Sequence, residues 1–215
     1  MSLQEKNVSY FVRNSYTTLN ECTPKTKNVW IVFHGIGFLS RYFLKYFDGL
    51  DPEENYLIAP QAPAKYYLNG EYKHVGASWL TKEQTSQEIE NVLSYLDSLM
   101  KVERIPNQCK LIVFGYSQGV SIAARWVARR KIRCHHVIFY AGGLPNELTP
   151  DQFLFLKDDC PVQIILGDKD EYLTEERMTA EKSKIDALFQ GRAKLHIYDG
   201  GHELKKEIIQ SLPWK

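Results

Sequence analysis

The stretch LIVFGYSQGVSIAA (residues 111–124) sets one serine, Ser117, between two glycines, Gly115 and Gly119. The unbroken apolar run before it has the pattern of a strand buried on both faces. The segment after it carries Ala123, Ala124, Trp126, Val127 and Ala128 at helical spacing. A serine at a sharp strand-to-helix turn has a strained backbone and stands clear of its neighbours. Residues two before and two after it come so close that a side chain there would clash, and glycine removes it. A glycine turn that merely closes a strand gives the same short pattern, so the surrounding sequence has to decide.

Working outward, apolar β-rich runs alternate with helical patterns. VSYFVRN (8–14) is expected as an edge strand, with YTTL as a candidate partner. VWIVF (29–33), YLIA (56–59), KLIVF (110–114), HVIFYA (136–141), VQIIL (162–166) and KLHIY (194–198) follow. The clearest helix covers 85–103: Thr85 and Glu88 have capping-box spacing, and Ile89, Val92, Leu93, Leu96, Leu99 and Met100 form one stripe. Thr149-Pro150 reads as a helix start, Thr174 opens a helix to about Gln190, and a last helix covers roughly 203–211. This alternation predicts a mostly parallel sheet with helices on both faces and ligands at the carboxyl ends of the strands. With no repeat and no Pro/Gly/Ser-rich linker, residues 1–215 are expected to form a single domain.

The bulk properties exclude several classes. The 215 residues include 27 basic and 26 acidic side chains, a formal net charge of +1, which points to neither nucleic acid nor an anionic membrane surface. No apolar run is long enough to span a bilayer, and the opening residues lack the charged and apolar regions of a signal peptide. The four cysteines, Cys22, Cys109, Cys134 and Cys160, are far apart, so reduced thiols in a cytoplasmic protein, without zinc, are expected.

Three strands end in residues of a nucleophilic triad. KLIVF leads into Gly115-Tyr116-Ser117-Gln118-Gly119, VQIIL into Gly167-Asp168-Lys169-Asp170, and KLHIY into Asp199-Gly200-Gly201-His202. The order Ser, Asp, His is the one used on the α/β-hydrolase fold. Asp170 competes with Asp168; Asp170 is preferred because it lies further out, where it can reach a histidine, while Asp168 follows the strand more closely and is expected to cap or brace the loop. Of six histidines, His34 and His74 precede the serine, His135 and His136 open a strand at the wrong end of the sheet, and His196 lies within a strand. His202 alone follows a strand in a glycine-rich loop. FHGIGFLS (33–40), directly after VWIVF, offers a backbone N–H at Ile36 to complement that of Gln118 in an oxyanion hole. An ordinary glycine turn, with His34 bonded within the loop, is the simpler reading of that segment. In the roles expected, Ser117 attacks a carbonyl, His202 takes its proton, Asp170 fixes the imidazole, and water resolves the acyl-enzyme. No cofactor or metal is needed.

Together these residues resemble the phospholipase/carboxylesterase family of α/β-hydrolases, which includes acyl-protein thioesterases. The resemblance runs from about Val29 to His202 through HGIG, APQAP (59–63), NG…SWL (69–80), GYSQG, GDKD and GGHE. It implies a central sheet with no large cap domain, a triad of Ser117, Asp170 and His202, and oxyanion donors at Ile36 and Gln118. The chain departs from the family pattern at Phe38, Leu80-Thr81, Val120 and Glu171–Thr174, all around the pocket rather than in the triad. Phe38, Trp79 and Leu173 are expected to line an acyl groove. AKYYLNGEYKH (64–74) rims the entrance or is a solvated loop, and FLFL (153–156) covers the site or packs in the core. The expected activity is carboxylesterase action on short to medium acyl esters by a monomer or homodimer. A thioesterase or lysophospholipase is the alternative, and a non-catalytic ligand-binding protein is a remoter one.

Overall fold

The computed structural model describes residues 2–156 and 159–212. Its centre is NVWIVF, strand β2 (Asn28–Phe33), in which every residue is buried. β1 (Tyr16–Leu19), β3 (Asn55–Pro60), β6 (Lys110–Tyr116), β7 (His136–Tyr140), β8 (Val162–Gly167) and β9 (Ala193–Tyr198) join it in a seven-stranded sheet of order β1-β3-β2-β6-β7-β8-β9. All neighbours are parallel except β1, which runs antiparallel to β3 with Tyr16 opposite Pro60.

The side-chain period of two divides the core between the sheet's faces. Val29, Ile31 and Phe33 of β2, with Val113 of β6 and Phe139 of β7, meet α2 (Thr85–Glu103), α3 (Gln118–Arg130) and α4 (Glu175–Phe189). Trp30 and Val32, with Phe114 and Tyr140, meet α1 (Ser40–Phe43), the turn at Leu44–Phe47, and α5 (Lys206–Ser211). Both faces are covered, which is why the central strands are apolar throughout.

Some expectations need correction. Residues 8–14 form no strand, and Val8, Tyr10, Phe11 and Val12 are exposed. YTTL itself, as β1, takes the edge of β3, and residues 8–14 add no further strand beside it. Thr85 does not cap α2: Gln84 takes that place in a left-handed conformation, and the Thr85 hydroxyl donates to the Thr81 carbonyl at 2.8 Å. α5 begins at Lys206 rather than 203, because the Tyr198 hydroxyl ties down the carbonyl of Glu203 at 2.7 Å. The capping box forms instead at Thr149 and Gln152, at the head of a short 3-10 turn.

AKYYLNGEYKH is not a plain solvated loop. β4 (Ala64–Tyr67) pairs antiparallel with β5 (Val75–Ser78) in a separate hairpin. Asn69 and Gly70 both have positive φ, the geometry that Asn-Gly favours between strands, and that dipeptide was the available signal. Of FLFL, Phe153 and Leu156 pack inward, Phe153 against Phe189 at 4.9 Å between ring centroids, while Leu154 is exposed.

Candidate active site

The elbow after β6 is built as its glycines require. Ser117 has φ 52° and ψ −120°, a conformation disfavoured for a residue with a Cβ. A Cβ on Gly119 would lie 2.2 Å from the Phe33 carbonyl oxygen, and one on Gly115 2.8 Å from that of Gly119. The crossing of β2, the elbow and α3 is therefore possible only with bare backbone at both places.

Three loops converge on this serine. The Ser117 hydroxyl lies 2.8 Å from His202 Nε2, and His202 Nδ1 lies 2.8 Å from Asp170 Oδ2. Asp170 is buried, and its second oxygen accepts the Tyr172 N–H at 2.9 Å. Asp168 is exposed and accepts the Gly200 N–H at 3.0 Å, so it braces the loop that carries the histidine. His202 is also held from behind: Tyr116 donates its hydroxyl to the His202 carbonyl at 3.0 Å, and the Tyr172 ring stands edge-on to the imidazole at 4.8 Å. Burial pushes the Tyr116 phenol up from its ordinary pKa, so it remains a donor. Neither tyrosine was singled out in the sequence, although Tyr116 stands inside the G-x-S-x-G motif.

The Ile36 turn faces the elbow from the end of β2. Among the described residues, the N–H groups of Ile36 and Gln118 donate to no acceptor in a turn, cap or side chain. Hydrogen bonds tie these two segments together. The Gly37 N–H donates to the Ala77 carbonyl at 2.9 Å, and Trp79 Nε1 donates to the His34 carbonyl at 2.8 Å. The Gln118 side chain in turn accepts the Trp79 N–H at 2.8 Å and donates to the Leu80 carbonyl at 2.8 Å.

Trp79 therefore has a different place from the one expected. It is 1% exposed, packs edge-on against Phe33 at 5.7 Å, and does not line the cleft. Its indole N–H needs a buried acceptor, and the His34 carbonyl draws the ring inward. Phe38 and Leu173 do line the cleft, which measures about 1030 Å³ around Ser117. His34 takes no part in it. Fully buried, its pKa is pulled down to about 4 by loss of solvation. Its Nδ1 is bonded to the Gly35 carbonyl at 2.8 Å and its Nε2 accepts the Ala62 N–H at 3.1 Å.

The Phospholipase/Carboxylesterase family profile matches residues 14–213. The chain belongs to this family. As a phospholipase/carboxylesterase family member it is an α/β-hydrolase of the esterase and thioesterase kind, with a mostly parallel sheet and no large cap domain. Solved structures share the fold. Zea mays acyl-protein thioesterase 2 superposes with a TM-score of 0.69 at 15% identity, over 92% of this chain and 95% of that one. The Bacillus cereus carboxylesterase gives 0.66 at 16%, over 92% and 90%. A phospholipase/carboxylesterase from Dyadobacter fermentans gives 0.64 at 20%, over 95% and 96%. No curated protein matches the sequence. Among the described residues, no helix is long and apolar enough to cross a membrane.

Proposed function

We propose that the chain is a serine carboxylesterase that cleaves short to medium acyl esters through Ser117, His202 and Asp170. The observation that carries this reading is the pair of 2.8 Å contacts running from Ser117 Oγ through the imidazole to a buried carboxylate. A serine hydroxyl is a weak nucleophile until a base takes its proton, and His202 Nε2 lies within reach to do so. Asp170 accepts Nδ1–H, which leaves Nε2 as the acceptor, and stabilises the imidazolium that forms. As the carbonyl becomes tetrahedral, its oxygen gains charge, and the N–H groups of Ile36 and Gln118 are the donors proposed to receive it. His202 then protonates the departing alcohol and activates the water that releases the acid.

The apolar part of the cleft is small. Ile36, Phe38, Tyr116, Leu144, Pro145 and Leu173 supply it, which favours short acyl groups over long ones. Thioesters follow the same acyl-enzyme route, and the shared fold with a plant acyl-protein thioesterase keeps that activity as the alternative. Hydrolysis of paired oxygen-ester and thioester substrates of graded chain length tests the reading. Highest kcat/KM on oxygen esters of short to medium acids is expected. A marked preference for long-chain thioesters would favour the alternative.

A further inference from the structure

The two sides of the cleft differ. β6 lies between β2 and β7, so the loop after β2 and the loop after β7 approach Ser117 from opposite sides. The β2 side brings Ile36 and Phe38. The other side, with α3 and α4, brings Arg125, Glu147, Arg177, Glu181 and Lys184.

Most of these charges are already matched. Arg125 donates to Glu147 from Nε at 2.6 Å and from Nη2 at 3.3 Å. Lys184 donates to Glu181 and to the Leu144 carbonyl, both at 2.9 Å, and Glu181 also accepts the Leu144 N–H at 3.2 Å. Arg177 differs. Among the described residues its side chain makes one hydrogen bond, from Nη1 to the Tyr172 carbonyl at 3.0 Å, and no carboxylate lies within ion-pair distance of it. Its Nη2 faces Gly143, 3.7 Å from where a Cβ would stand, while a Cβ on Gly142 would lie 2.3 Å from the Ser117 carbonyl oxygen. Two consecutive glycines thus keep side chains off the stretch of loop that borders both residues. The one carboxylate of the lining without a described partner, Glu171, lies on the His202 side, with Oε2 3.8 Å from the Cβ position of Gly201.

From this arrangement we infer that Arg177 forms a subsite for a carboxylate on the substrate, so that the preferred esters are those of dicarboxylic or hydroxy acids. The guanidinium fork suits a carboxylate, and apart from the Nη1 bond to Tyr172 its donors are unspent among the described residues. The inference rests on the Ser117 hydrolase reading and names the substrate class of that same site.

Two substrate pairs test it and locate the charge. Monomethyl adipate against methyl hexanoate puts the carboxylate on the acyl side; O-acetyl-γ-hydroxybutyrate against butyl acetate puts it on the alcohol side. The expected result is a kcat/KM ratio favouring the charged member of one pair by about fivefold or more, a moderate value because Arg177 is exposed and screened by salt. That ratio should fall about fivefold in Arg177→Gln and recover in part in Arg177→Lys. Hydrolysis of all four esters with ratios at or below one, or with ratios that Arg177→Gln leaves unchanged, overturns the subsite alone. Hydrolysis of neither these four esters nor any of the graded neutral esters overturns the hydrolase reading and the subsite with it.

Discussion

The side-chain oxygen of Gln118 accepts the backbone N–H of Trp79 at 2.8 Å, and this bond links the nucleophile elbow after β6 to the segment that leaves β5. Trp79 reaches from there to the His34 carbonyl, one residue before the turn that holds Ile36. Gln118→Ala removes the link and leaves the Trp79 N–H without its acceptor. A fall of about tenfold in kcat is expected, more in kcat than in KM, with a change in tryptophan fluorescence. Gln118→Glu keeps the acceptor but loses the donor to Leu80, so it should recover only part of the activity.

The acid of the triad is tested by two substitutions. Asp170→Asn should lower kcat by up to about 10⁴-fold, because the amide no longer holds the imidazole tautomer. Asp168→Asn should have a much smaller effect, acting only through the Gly200 N–H it braces. A larger loss at Asp168 than at Asp170 would reverse the assignment.

Glycine at the elbow is a steric necessity. In Gly119→Ala the new Cβ would lie 2.2 Å from the Phe33 oxygen and 2.7 Å from that of His34, both backbone atoms of the neighbouring strand end. Destabilisation on the order of 3 kcal/mol is expected, read from the urea midpoint. An unchanged midpoint would mean that the crossing is looser than described.

His34 and His136 set a pH dependence of stability. Burial pulls each down from the ordinary 6.5 to about 4. Between those values the unfolded chain binds protons that the folded chain does not, so acidification favours unfolding. Stability should be fully present above about pH 6.5 and be lost progressively as pH falls towards 4, by on the order of 3 kcal/mol per histidine. Urea titrations at a series of pH values check the slope. Stability that stays level across this window would contradict the burial argument.

The parts of the fold legible in the sequence were those set by period. VWIVF and KLIVF read as central strands because residues buried on both faces show no alternation, and the 85–103 stripe set a helix that runs over the same residues in the structure. The convergence of Ser117, Asp170 and His202 followed from chain order and strand ends. What period does not encode was missed. Residues 8–14 are apolar and β-rich like a strand but pair with nothing in the sheet, and Thr85 has capping-box spacing one residue after the true N-cap, Gln84. Trp79 shows the same limit: its distance from the strand end suggested a pocket wall, while its indole N–H found an acceptor in the core. The hairpin around Asn69-Gly70 was legible in principle from that dipeptide.

The most direct measurement is the intact mass of the folded protein after reaction with diisopropyl fluorophosphate, followed by peptide mapping. A nucleophile activated by His202 predicts one diisopropylphosphoryl adduct, located on Ser117, with labelling lost in Ser117→Ala and slowed by at least about 10³-fold in His202→Ala. No adduct in the folded wild type, or an adduct on another residue, would contradict the catalytic role given to Ser117.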